Sequence, residues 1–275
     1  MPDELACGPP VALSALVDLS AATAAALAMS PFIMTIDAAI VGAAAGRHKL
    51  GEAIVRGTAE MLRRPLALVR NPAYWMVTGV YAATYSAANL ADTFGAQYEM
   101  TAAVHGTVKL FGTTAVNTTA CIAKDIAFAR MFGAKKGGPM PLATIGLFGA
   151  RDLLTVASAY TIPPVLAAAL ETGGGLSPLQ AEASAQLSAP VAMQLICAPV
   201  HLLALNFYNA PVASAAERAA AVARTAPQTI VAYAVRMAPS FGIGVVMNSN
   251  ITRGGHAVLQ RYYGNAGTDP RAAAS

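Results

Sequence analysis

The distribution of apolar residues along the chain predicts six long helices. Apolar or small residues dominate six stretches, and each is at least about 20 residues long, the length that an α-helix needs to cross a bilayer. The stretches cover about residues 11–45, 72–94, 102–132, 141–170, 178–209 and 227–251. We therefore expect an all-α membrane protein with six transmembrane helices.

Three of these stretches are longer than a bilayer requires. The first, third and fifth would form helices about 45 Å long, whereas the hydrocarbon core is about 30 Å thick. Such helices must tilt, kink or protrude from the membrane. Pro31 and Pro199 lie inside the first and fifth stretches, and each removes one backbone hydrogen bond. We expect both prolines to kink their helices.

The polar connections differ in charge. Between the first two stretches, "RHKLGEAIVRGTAEMLRRPLALVRN" places Leu50, Ile54 and Leu62 close to helical spacing among basic residues. This pattern predicts a short amphipathic helix on the membrane surface. The connection between the fifth and sixth stretches is also basic. The connections on the other side carry four acidic residues: Asp92, Glu99, Glu171 and Glu182. The positive-inside rule then puts both termini on the face opposite the basic connections.

Composition agrees with a membrane protein and excludes several other classes. The chain is 56% hydrophobic and only 12% charged, with a net charge of +4, whereas soluble domains are about 25% charged. A soluble Ala-rich helical protein is the alternative. No basic, aromatic-interleaved patch indicates nucleic-acid binding. The three cysteines are far apart (Cys7, Cys121 and Cys197), so we expect no metal site. We also expect no cofactor and no enzymatic activity, because no catalytic motif is present.

Charged residues inside the apolar stretches are the candidate functional residues. Arg151 and Asp152 stand side by side in the fourth stretch, where each charge costs about 2.5–3.5 kcal/mol to insert. Neighbouring side chains on a helix point about 100° apart, so each needs a partner on another helix or in a wet cavity. Asp125 and Arg130, near the end of the third stretch, are either interface anchors together with Lys124 or a charged gate.

The chain resembles the mitochondrial solute carrier family. A unit of long helix, basic loop and shorter helix occurs three times, at about 11–95, 102–170 and 178–253 within a single membrane domain, 1–275. The sixth stretch contains "AVRMAPSFGIG", with Arg236 three residues before Pro239, and the fourth contains "ARDLLTVASAY". The resemblance implies three two-helix repeats with surface helices on the matrix side. It also implies Arg151, Asp152 and Arg236 at the substrate level, and termini in the intermembrane space of mitochondria.

The chain departs from that family at its gates. The family's odd helices end in Pro-x-Asp/Glu-x-x-Lys/Arg, but here the first and third repeats read "PFIMTI" and "PVHLLA" without a charge pair. The second repeat keeps Asp125 and Arg130 but lacks the proline. Because switching between two states needs contacts at both gates, the first hypothesis is an accessory subunit of a larger inner-membrane complex, respiratory or ATP synthase, with other subunits as partners. The second is an active carrier of a small anionic or zwitterionic solute such as a carboxylate or an amino acid.

Overall fold

The computed structural model of the protein describes residues 9–134, 139–160 and 162–266. These residues form ten α-helices and one π-helical segment and no strands. The helices are α1 (Val11–Ala44), α2 (Leu50–Arg63), α3 (Pro65–Leu68), α4 (Pro72–Gln97), α5 (Ala102–Phe132), α6 (Leu142–Tyr160), α7 (Ile162–Gly174), α8 (Pro178–Asn209), α9 (Ala215–Met237) and α10 (Val246–Ala266), with the π-helical segment at Ala238–Val245 between α9 and α10.

Three helical stretches of the described chain are long and apolar enough to span a membrane. They are α1, the stretch Leu142–Gly174 that comprises α6 and α7, and α8. An all-helical membrane protein is therefore confirmed. The other long helices are less apolar, and the layout of six spans in three repeats stays a prediction.

The long helices pack in a ring that follows the order of the chain. α1 contacts α4, α4 contacts α5, α5 contacts α6, α6 and α7 contact α8, and α8 contacts α9. The ring closes because α9, the π-helical segment and α10 pack back against α1. Four alanines in the middle of α1 are completely buried: Ala21, Ala22, Ala25 and Ala26. Such small side chains let neighbouring helix backbones approach closely.

The predicted short amphipathic helix is present, although one residue of its buried face differs and its position on the membrane surface stays a prediction. α2 covers Leu50–Arg63 and packs against α1. Leu50 is buried as expected, but Leu62 is exposed and its neighbour Met61 is buried instead. The shift by one residue follows from the helical period of 3.6 residues, which brings position 61 rather than 62 to the face of Leu50.

The helix that contains the sixth predicted stretch starts earlier than that stretch and is not a regular α-helix throughout. α9 begins at Ala215, so the basic connection before the sixth stretch is part of the same helix. The π-helical segment interrupts it. π-Helical turns are rare and often occur at functional sites. A side chain on Gly244 would meet Tyr85 Oη at 2.2 Å and Met29 Sδ at 2.4 Å, so this position needs glycine for close packing against α1 and α4.

The two prolines predicted to kink helices both lie inside them. Pro31 is in α1 and Pro199 is in α8, and α8 contains a second internal proline, Pro190. α4 begins where the sequence supplies a capping group. Asn71 accepts a hydrogen bond from the backbone N–H of Ala73 at the start of α4, as an N-cap side chain does.

Candidate functional site

Six charged side chains from four helices form one continuous chain of ion pairs inside the bundle. Every one of them is buried. We call this set the charge chain; its members, in order of contact, are Arg236 of α9, Asp37 of α1, Lys124 and Asp125 of α5, and Arg151 and Asp152 of α6.

The first half of the charge chain joins α9 to α1, and its Asp37 also binds Lys124 of α5. Arg236 Nε lies 2.7 Å from Asp37 Oδ1, and its NH2 group donates a hydrogen bond of 3.3 Å to Asp37 Oδ2. Lys124 Nζ donates to the same Asp37 Oδ2 at 2.7 Å. Asp37 therefore pairs with two cations, Arg236 of α9 and Lys124 of α5.

The second half joins α5 to α6. Lys124 Nζ lies 2.8 Å from Asp125 Oδ1, and Arg151 donates through NH2 to Asp125 Oδ2. Arg151 NH1 lies 3.1 Å from Asp152 Oδ1. The bond between Lys124 and Asp37 connects this second half of the charge chain to the first half, and so it joins α5 to α1.

The charges alternate in sign and sum to zero. Three cations and three anions stand in the order plus, minus, plus, minus, plus, minus. Removing one partner from a buried pair costs about 3–5 kcal/mol, because the other charge stays buried without compensation. We therefore expect the six residues to be stable in the interior of the bundle only while all of them are present.

The three residues predicted to contact the substrate, Arg151, Asp152 and Arg236, all belong to the charge chain, but none of its ion pairs joins Arg236 directly to the other two. Arg151 and Arg236 lie in opposite halves of the charge chain, connected through Asp37, Lys124 and Asp125. The expectation that Arg151 needs a partner on another helix agrees with its bond to Asp125 of α5. Arg151 also pairs with its neighbour Asp152, so the ion pair of Asp152 in the described residues lies on its own helix, which differs from the expectation of a partner on another helix.

The proposed gate pair does not form in this structure. Asp125 is buried between Lys124 and Arg151, whereas Arg130 is exposed near the end of α5. Five residues separate the two, which places them on different faces of the helix. The alternative of Lys124 as an anchor at the membrane surface is also not what the structure shows, because Lys124 is only 6% exposed.

Sequence reasoning missed Asp37, which connects the two halves of the charge chain. Its signal was available: α1 is an apolar helix of 34 residues and contains two acidic residues, Asp18 and Asp37. An acid within a membrane segment is by default a functional residue with a partner to be found.

Asp18 belongs to a second buried cluster, built mainly from neutral groups. Its carboxylate accepts a hydrogen bond of 2.5 Å from Thr93 of α4 and lies 2.8 Å from the Nε2 atom of His256 of α10. Asn89 of α4 and Asn248 of α10 exchange two hydrogen bonds of 2.9 Å. We call these five residues the amide layer.

The two clusters lie far apart along α1. Asp18 and Asp37 are 19 residues apart, which corresponds to about 28 Å of helix. All members of the amide layer except Asn248 line a cavity of about 400 Å³, together with Asp92. A cavity of about 740 Å³ lies on the α2 side and includes Arg56, Arg63 and Arg64. Neither of these two cavities is lined by a member of the charge chain.

A polytopic helical bundle with paired charges in its interior is a feature of membrane transport proteins, which keep ionisable residues along solute pathways. A family model described as "Probable citrulline exporter" matches residues 20–255. The chain therefore belongs to this family of membrane transporters. No curated protein and no solved structure matches the chain.

The family match corrects the resemblance to mitochondrial solute carriers, which was wrong. The resemblance depended on a threefold division of six helices, which any protein with six helices allows, and on short patterns of proline, glycine and arginine. Gly and Pro are common in transmembrane helices of any family. The charges also lie elsewhere: Asp37 comes six residues after Pro31, whereas the carrier motif has its acid two residues after the proline. Transport, the second hypothesis, is the one that the family supports.

Proposed function

We propose that the protein transports citrulline, or an amino acid very similar to it, across a membrane, with the charge chain as its solute-binding layer. The observation that carries this proposal is the neutral, alternating sequence of charges across α9, α1, α5 and α6. The family description supplies the solute class.

A zwitterion is the solute that a neutral charge chain accommodates best. Citrulline carries one ammonium group, one carboxylate and an uncharged ureido side chain. If it enters between a cation and an anion of the chain, the alternation of charges is kept and every charge still has a partner. A solute with a net charge would leave one buried charge unpaired, which costs several kcal/mol.

The bond between Lys124 and Asp37 is the position where we expect the solute to enter. Its replacement by citrulline pairs the ammonium group with Asp37 and the carboxylate with Lys124. The α1–α9 half and the α5–α6 half of the charge chain would then be joined only through the solute. A transporter changes state when a solute binds one state better than the other, and this exchange of partners supplies such a difference.

The six-span layout fits this proposal. Six long helical stretches, α1, α4, α5, α6–α7, α8 and α9–α10, close into a ring, and the charge chain joins four of them across its interior. The three repeats within one membrane domain, the mitochondrial inner membrane as the location, the intermembrane-space position of the termini, and the accessory-subunit role stay predictions.

The test is uptake by purified protein reconstituted in liposomes loaded with unlabelled citrulline. We expect exchange of labelled citrulline, competed by other zwitterionic amino acids but poorly by ornithine, with net charge +1, or glutamate, with net charge −1. Protein-free liposomes are the control. Absence of exchange, or equal competition by ornithine and glutamate, would contradict the proposal.

A further inference from the structure

The two ends of the charge chain differ in how completely their polar atoms are paired. At the Arg236 end, Arg236 Nε and Asp37 Oδ1 form no hydrogen bond of good geometry, but they contact each other as an ion pair at 2.7 Å, and Arg236 NH2 donates to Asp37 Oδ2 at 3.3 Å. At the other end, Arg151 Nε and Asp152 Oδ2 are buried and have no hydrogen-bond partner among the described residues. Asp152 is only 2% exposed and Arg151 only 6%.

A third unpaired atom lies on α8, next to the same end. His201 is 2% exposed, and its Nδ1 atom has no partner in the described part of the chain. Its ring stands 5.2 Å from the ring of Phe148, which is one turn before Asp152 on α6, and 5.7 Å from that of Tyr233. α6 and α8 are in direct contact here, since Cys197 of α8 donates to the backbone oxygen of Arg151 at 3.7 Å.

Unpaired buried groups of this kind are rare, and each one in a native structure calls for an explanation such as a bound water or ligand. Here the set contains a donor, the N–H of Arg151 Nε, and an acceptor, Asp152 Oδ2. His201 Nδ1 is either, depending on its tautomer. A group that satisfies both must offer a carbonyl oxygen to Arg151 Nε and an N–H to Asp152 Oδ2, and an amide or a ureido group carries both.

We infer that the Arg151–Asp152 end of the charge chain, together with His201, recognises the ureido group of the transported solute. This inference rests on the proposed function and specifies it. The ureido oxygen accepts from Arg151 Nε, and a ureido N–H donates to Asp152 Oδ2. The ammonium and carboxylate groups of the solute bind at Asp37 and Lys124, which are connected to this end through Asp125.

This arrangement distinguishes citrulline from arginine, although the two have nearly the same shape. A guanidinium group has no acceptor atom, so it would leave Arg151 Nε unpaired and would add a positive charge beside Arg151.

The same arrangement also distinguishes citrulline from 2-aminopentanoic acid, which has the same backbone and no ureido group. With that solute, both buried atoms stay unpaired.

The experiment compares two matched arginine-to-lysine variants in liposome uptake. Arg151→Lys keeps the positive charge but removes the Nε donor at the unpaired end, and Arg236→Lys makes the same change at the paired end. For wild-type protein we expect the KM for 2-aminopentanoic acid to be at least about tenfold higher than that for citrulline, since a lost hydrogen bond to a charged group has that magnitude. Arg151→Lys brings this ratio close to one, whereas Arg236→Lys raises both KM values and preserves the ratio.

Two results would overturn the inference. One is a wild-type protein that takes up citrulline and 2-aminopentanoic acid with equal KM; this comparison needs no variant and so does not depend on whether Arg151→Lys folds. The other is an Arg151→Lys protein that keeps the wild-type ratio, which would mean that a bound water satisfies the unpaired atoms. Absence of uptake of any amino acid by wild-type protein would instead contradict the proposed function itself.

Discussion

Two buried polar clusters contact the same helix, α1, and they are built from different chemistry. The charge chain contains six full charges and joins α1 to α5, α6 and α9. The amide layer, about 28 Å away along α1, joins α1 to α4 and α10 through one carboxylate, two amides, a hydroxyl and an imidazole.

The difference lies in what a charged solute does to each cluster. Each amide or hydroxyl hydrogen bond contributes about 1 kcal/mol net to stability. A charged solute that replaced such neutral partners would gain no ion pair. Buried ion pairs are retained at a high cost of desolvation, and a zwitterion replaces them charge for charge. We therefore assign solute binding to the charge chain. The amide layer holds α1, α4 and α10 together at the other end of the bundle.

The largest expected effect comes from Asp37→Asn. This variant leaves Arg236 without an acidic partner and gives the charge chain a net charge of +1. We expect a loss of about 3–5 kcal/mol in the free energy of unfolding and loss of citrulline uptake, measured by thermal unfolding in detergent and by liposome exchange.

Its control is the double variant Asp37→Asn with Arg236→Gln, which restores a net charge of zero. We expect the double variant to be more stable than Asp37→Asn alone, because the unpaired cation is gone, but still inactive. Strictly additive destabilisation by the two substitutions would mean that the residues are not energetically coupled.

An intermediate effect is expected when a second acidic residue is put into the amide layer. Asn248→Asp replaces the amide that donates to Asn89 Oδ1 with a carboxylate, so two acceptors face each other in a buried site. We expect a loss of about 1–3 kcal/mol, measured by thermal unfolding. Asn248→Ala is the matched comparison, and we expect it to cost less; if the two variants are equally stable, the layer is not the closely packed cluster of mainly neutral groups described above.

The smallest effect is expected for His256→Ala. His256 is partly exposed, and after its removal Asp18 still accepts the hydrogen bond from Thr93. We expect a loss of about 1 kcal/mol in the free energy of unfolding and little change in the KM for citrulline. A loss of uptake as complete as that of Asp37→Asn would place solute recognition at both clusters.

The sequence predicted the helices well because their signal is local. The stretches 102–132 and 178–209 coincide with α5 and α8, since length and apolar composition decide them. The partners of the buried charges could not be predicted in this way. Lys124 and Asp37 are 87 residues apart, and Arg236 and Asp37 are 199 apart, so only the packing of the ring reveals these pairs. The start of α9 was also missed, because its first turns carry the polar pattern of a surface connection.

Equilibrium binding of labelled citrulline to purified protein shows whether a zwitterion replaces the bond between Lys124 and Asp37. Lys124→Met is compared with Arg130→Met, which removes an exposed basic residue from the same helix. We expect saturable binding to the wild type and to Arg130→Met, and binding at least about tenfold weaker to Lys124→Met, the loss expected for a charged hydrogen bond. Wild-type affinity in Lys124→Met would contradict this expectation.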